Sequence, residues 1–205
     1  MNSLFSLFGK KSESPKPIIV VSGLPRSGTS MMMKILAEGG LPVITDESRT
    51  ADEDNPNGYF ELEVVKQMSG GNVRWLADAR GKAVKIISAL LEHLPPEHSY
   101  RIIFMEREIR EILASQRKML AHRNEVLKAN DGEVEKQFQM HLSTLKPWLA
   151  RQPNMEVLYV SYNALLADPE LFCTRLIEFT DTPLALERMV SVPNKQLYRN
   201  RVAVR

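Results

Sequence analysis

Residues Pro17–Lys34 read PIIVVSGLPRSGTSMMMK, a continuous apolar run that turns through two glycines into a helical stretch. Strand, glycine-bracketed loop and helix in that order are the layout of a phosphate-binding loop. Gly23 and Gly28 complete the spacing G-x-x-x-x-G, letting successive backbone N–H groups converge on one point. The helix that follows adds its N-terminal partial positive charge. After Gly28 comes Thr29, where ATP- and GTP-binding loops carry lysine. The cation comes instead from Arg26, whose planar guanidinium forks across two oxygens of a phosphate or related group. The hydroxyls of Ser27, Thr29 and Ser30 add donors.

The missing lysine argues against a nucleoside triphosphate held with magnesium. Such sites place lysine on the terminal phosphates and usually an aspartate at the end of a second strand. The runs ending at Met105-Glu106 and Val160-Ser161 supply no aspartate.

The chain has 205 residues, 25% of them charged and 43% hydrophobic, which fits a globular protein with a core large enough to fold alone. A net charge of +2 is too small to argue for nucleic acid or a membrane surface. Cys173 is the single cysteine, so no intramolecular disulfide forms and a reducing compartment is expected. The apolar run Leu4–Phe8 is too short for a signal-peptide core, and no window reaches the ~20 apolar residues of a membrane span. These features predict a cytoplasmic protein without stable membrane insertion, its residues 1–16 a mobile tail and 17–205 a single domain.

Four continuous apolar runs read as parallel strands: Ile18–Ser22, Ala83–Ile87, Arg101–Met105 and Val157–Val160. Helices are expected over Ser30–Glu38, which stops at Gly39-Gly40, over Glu108–Ala129, and over Glu133–Leu149, with one apolar face. Another runs over Pro169–Phe179, with Asp168 as N-cap and proline at its first position. Strand–helix alternation predicts a three-layer α/β domain, a central parallel sheet flanked by helices. Ligands of such sheets bind at the carboxyl ends of the strands, where each candidate group falls.

The stretch Leu24–Ser30, LPRSGTS, resembles the 5′-phosphosulfate loop of the sulfotransferases that use 3′-phosphoadenosine 5′-phosphosulfate (PAPS), where it reads P-[KR]-S-G-T-[TS]. The resemblance implies that Arg26, Ser27, Gly28, Thr29 and Ser30 hold the 5′-phosphate. In IIFMEREIREILASQRKM, Arg107 and Ser115 stand at the family's spacing for gripping the 3′-phosphate. Eight residues of helix are slightly over two turns, so Ser115 is expected on the side of the helix start. Residues 157–179, VLYVSYNALLADPELFCTRLIEF, resemble the family segment whose tyrosine approaches the nucleotide, here Tyr162. Asn163 and Ala164 replace the usual acidic pair. Matching segments run from Ile18 to Phe179. The resemblance implies a P-loop-type sulfotransferase of the bacterial or carbohydrate type, with PAPS as donor, 3′,5′-adenosine bisphosphate (PAP) as product and no metal. Its acceptor would be a small molecule, a carbohydrate or a peptide, with no nucleic-acid partner.

Two departures stand out. Where many members carry lysine-threonine-histidine with histidine as base, this chain has Lys85, Ile86 and Ile87. His93 lies in a loop, and His122 and His141 fall on helical stretches without a partner the sequence names. DNPNGYFELE, residues 54–63, resembles a segment of members that use glutamate as base. Glu61 is the matching acid, and Tyr59 and Phe60, displayed by the Asn55–Gly58 turn, would partly desolvate it and raise its pKa. Catalytic roles are thus expected for Glu61, Lys85 and Arg26. The glycine motif that closes the 3′-phosphate site in cytosolic members is also missing, leaving Lys195, Arg199 or Arg201 to replace it. Acceptor-lining loops are expected at Leu41–Gly58 and Lys118–Gly132. The residues leave two rivals open: a small-molecule or nucleotide kinase with an atypical loop, and a non-catalytic nucleotide-binding regulatory protein.

Overall fold

The computed structural model describes residues 15–46, 58–122 and 130–193. Among these residues five parallel strands form one sheet: β1 (Ile18–Gly23), β2 (Val43–Ile44), β3 (Ala83–Lys85), β4 (Tyr100–Glu106) and β5 (Met155–Ser161), in the order β2-β3-β1-β4-β5. β1 lies in the middle, pairing Ile19 with Ala83 on one side and with Arg101 on the other. The chain crosses β1 between β3 and β4, so the loop at its carboxyl end sits where ligands of open α/β sheets bind.

Both faces of the sheet are covered, which is why its strands are continuously apolar. Ile19, Val21, Ile103, Met105 and Val160 pack under α1 (Thr29–Glu38), α4 (Tyr162–Ala167), α5 (Pro169–Thr180) and α6 (Leu186–Val190). Ile18, Val20, Val84, Ile102 and Phe104 face α3 (Asp131–Leu149) and the 3-10 turns over Glu63–Gly70, Arg74–Ala79 and Ser88–His93. Fully burying one such side chain contributes about 1.5–3 kcal/mol. α2 (Ile109–His122) follows β4, and Arg110 and Arg117 pair with Glu135 and Asp131 of α3.

Caps sit where the residue types demand them. Asp168 Oδ1 accepts from Leu171 N at 3.1 Å, and Asn130 Oδ1 from Glu133 N at 2.9 Å. The strand expected over Ala83–Ile87 ends at Lys85: Ile86 is fully buried, while Ile87 opens a 3-10 turn with 45% exposure. β2, α4 and α6 are too short to leave a periodic signal. Residues 1–14, most of the expected tail, and 123–129, the expected end of the second helix, lie outside the described residues.

Candidate functional site

β1 delivers the chain to Gly23 in a conformation with φ 148°, where a Cβ would lie 2.5 Å from Ser27 Oγ and 2.7 Å from the Met105 carbonyl. Gly28 has φ 104°, and a Cβ there would meet the Tyr162 ring at 2.5 Å. Both positions exclude any side chain. Arg26 between them is also left-handed, with φ 69°, a strain of about 1–3 kcal/mol for a non-glycine residue. Two bonds to the segment that follows β4 hold it there. Arg26 Nε donates to Ser115 Oγ at 3.1 Å, and Arg107 NH1 donates to the Arg26 carbonyl at 3.2 Å.

Anion chemistry suits the loop. The Ser27 hydroxyl is fully buried and has no hydrogen-bond partner among the described residues. α1 has no acidic residue in its first turn and no side-chain cap on its N-terminus. Backbone donors, a buried hydroxyl and the helix end therefore meet no carboxylate from the first turn of α1 itself. Thr29 is the first residue of α1, and Ser30 Oγ donates to the Tyr59 carbonyl at 3.4 Å.

β4 pairs with β1 as far as Met105 against Gly23, so Arg107 leaves the sheet beside the loop. Its side chain is 7% exposed and forms an ion pair, Nε to Oε2 at 3.0 Å, with Glu111, which is 2% exposed. The guanidinium lies 4.4 Å from the centre of the Tyr162 ring. Asn163 Nδ2 donates to the other Glu111 oxygen at 3.5 Å. An acid at 163 would set a second carboxylate against Glu111, so the asparagine is compatible where the usual acid is not. Burial pushes the Tyr162 phenol above its ordinary pKa, with Arg107 opposing the rise. It is a neutral ring packed on Gly28.

Across β1 the contacts are of another kind. Lys85, ending β3, donates from Nζ to the Tyr59 carbonyl, the same oxygen that Ser30 reaches. The Glu61 carbonyl accepts from Thr45 Oγ1 at 2.9 Å and from Asp46 N at 3.1 Å, which ties this segment to the end of β2. Tyr59 is turned inward and only 5% exposed, correcting the expectation that it stands on display. Phe60, with φ 49°, packs half-buried against the core, and Glu61 is half-buried.

The structure thus brings Arg26, Ser27, Arg107, Ser115 and Tyr162 together, and separately Lys85, Ser30 and the Tyr59–Glu61 segment. Asn55, Lys195, Arg199 and Arg201 lie outside the described residues, as does most of each expected acceptor loop. His93 sits beside Glu92 in a 3-10 turn. His141 has a partner the sequence did not name: its Nε2 is 2.9 Å from Oγ of buried Ser88, three residues beyond Lys85. Glu111 was also missed, although its spacing of four from Arg107, across the start of a helix, was a readable signal. Among the described residues no three His, Cys, Asp or Glu side chains converge as a metal site would need. No helix among them is long and apolar enough to cross a membrane.

Three comparisons bear on this arrangement. A family model described as the sulfotransferase family matches residues 58–185, a span that includes Lys85, Arg107, Ser115 and Tyr162 and begins after the glycine loop. The fold is similar to the sulfotransferase domain from the Synechococcus PCC 7002 olefin synthase, with 13% identity, 93% of this chain and 82% of that chain covered, and a TM-score of 0.53. The sulfotransferase domain from the curacin biosynthetic pathway aligns with 14% identity over 89% of this chain and 79% of that chain, at a TM-score of 0.49. No curated protein sequence is significantly similar. With more than half its length matched by one family, and a fold shared with a sulfotransferase domain, this chain belongs to the sulfotransferase family.

Proposed function

We propose that the protein transfers a sulfuryl group from PAPS to a hydroxyl or amine of a small-molecule, carbohydrate or peptide acceptor. One observation carries the reading: the cation of the glycine loop and the arginine-serine pair that follows the neighbouring strand β4 are bonded to each other. Two anion-binding groups on adjacent strand ends make one surface for a nucleotide that carries phosphate at two positions.

The donor, when bound, supplies a sulfuryl group activated by a phosphate leaving group. Ser27, Gly28, Thr29 and Ser30 hold the 5′-phosphate through backbone and hydroxyl donors. Arg107 and Ser115 hold the 3′-phosphate, and Tyr162 lies against the nucleotide. Ser115 and Arg26 exchange their mutual bond for bonds to the ligand. Arg26 and Lys85 stabilise the charge that grows on the leaving phosphate and the moving group, ordinarily the largest catalytic contribution. Lys85 is held on the Tyr59 carbonyl, so its amine is directed before the donor arrives. Glu61, two residues along the same segment, takes the acceptor's proton.

The test is PAP release from PAPS with phenol, sugar and tyrosyl-peptide acceptors, read beside ATP consumption with magnesium. PAP release that depends on acceptor and falls in Glu61→Gln supports the reading. ATP consumption without PAP release would contradict it. An acceptor sulfated as fast by Glu61→Gln as by the native protein would overturn the assignment of the base alone. Binding of PAP with no transfer to any acceptor would favour a regulatory nucleotide-binding role, the reading kept open by Ile87 where histidine is usual.

A further inference from the structure

A buried carboxylate inside a site for anions is, on charge alone, a defect. Glu111 is 2% exposed and bonded to Arg107, so its field opposes any phosphate that approaches that guanidinium. What the carboxylate supplies is geometry. Arg107 Nε is held by Glu111 Oε2, its NH1 reaches the Arg26 carbonyl, and one face lies over the Tyr162 ring. These contacts, pointing in different directions, fix the plane of a side chain that otherwise has many rotamers to lose on binding. The carboxylate is itself steadied by Asn163 Nδ2 on its other oxygen. Arg107 is in turn bonded to the left-handed residue of the glycine loop, so the same pair supports the strained backbone at Arg26.

We propose that Glu111 is a positioning residue for nucleotide recognition: it orients Arg107 toward the 3′-phosphate and lowers the ordering cost of binding by more than its charge opposes the ligand. The proposal rests on the reading that this site takes a nucleotide phosphorylated at both ends. A carboxylate that only neutralised the buried Arg107 charge would make the opposite prediction. Removing it would then leave anion binding unchanged or make it tighter.

The sign of one substitution separates the two. Calorimetric titration of the full chain with PAP and with 5′-AMP, well below the unfolding temperature, reads both affinities. Glu111→Gln leaves one accepting oxygen where two hold Arg107 Nε and Asn163 Nδ2, so one of these contacts is lost along with the charge. It is expected to weaken PAP about tenfold while changing 5′-AMP much less, so that the preference for the 3′-phosphate shrinks. A general loss of folding would lower both affinities together. Asn163→Ala frees the carboxylate without touching its charge and is expected to weaken PAP about two- to threefold, again with little effect on 5′-AMP. It carries the test should Glu111→Gln fail to fold. PAP binding by either folded variant that equals or exceeds that of the native protein overturns the role of Glu111. A native protein that does not bind PAP at all removes the reading of the site, and the inference with it.

Discussion

The two sides of β1 are built by different means. Toward β4 and β5, two seven-residue strands pair along their whole length, Tyr100 with Met155 through Glu106 with Ser161. Above them Arg107, Glu111, Ser115, Asn163 and Arg26 interlock largely through side chains. Toward β3 and β2, strands of three and two residues give way to 3-10 turns, and several of the contacts end on backbone carbonyls. Lys85 and Ser30 both reach the Tyr59 carbonyl, and Thr45 reaches that of Glu61. A side-chain network requires particular residues, whereas a carbonyl is offered by any residue. On the proposed reading, one half suits an invariant donor and the other can be varied while its shape is kept, as loops around a changing acceptor require.

That contrast breaks most visibly at Arg107. Arg107→Ala leaves Glu111 buried without its cation, and the loss of stability is expected to be about 3–5 kcal/mol. Denaturant unfolding measures it, and adding Glu111→Gln to the same chain should restore part of the loss. Across the sheet, Lys85→Met removes the amine held on the Tyr59 carbonyl. Transfer is expected to fall about 10²–10³-fold, as for other removed electrostatic stabilisers, with PAP affinity nearly unchanged. A Lys85→Met protein that lost PAP binding instead would erase the distinction between the two halves. Gly28→Ala tests the seam, since the new Cβ would meet the Tyr162 ring at 2.5 Å with φ at 104°. We expect a loss of about 1–3 kcal/mol in stability and a matching fall in PAP affinity, read by thermal unfolding and titration.

The smallest effect is shared by both faces of the sheet. Burial raises the phenols of Tyr100 and Tyr162 above their ordinary values, and raises the Cys173 thiol from 9.0 to about 11. Such groups ionise more readily in the unfolded chain, so their contribution is whole below the unfolded values and is lost as pH rises through the folded ones. Thermal stability should thus hold up to about pH 9 and decline toward pH 11, and Cys173→Ala should flatten part of the decline. A curve that stays level to pH 11 would contradict the burial of these groups.

The same division governed what the sequence could tell. The strands around Ile18, Ala83, Arg101 and Val157 were legible because burial on both faces makes them continuously apolar. Gly23, Gly28, Arg26, Arg107 and Ser115 were legible because their chemistry is carried by side-chain type at fixed spacing. β2 escaped because two residues make no pattern, and α4 because it begins at the residue after β5 ends. The inward turn of Tyr59 goes with a carbonyl that serves Lys85 and Ser30, which no spacing announces. His141 and Ser88 are 53 residues apart in sequence and meet only because α3 folds back beside the end of β3.

On the proposed reading, the interlocked half recognises a nucleotide with phosphate at both its 3′ and 5′ positions. The most direct measurement is thermal unfolding of the full chain with PAP, with 5′-AMP, and with ATP plus magnesium. At a hundred times its dissociation constant a ligand stabilises by about 2.7 kcal/mol. The unfolding temperature should therefore rise by about 5–10 °C with PAP and by little with the other two at the same concentration. A rise with ATP and magnesium, and none with PAP, would contradict the account.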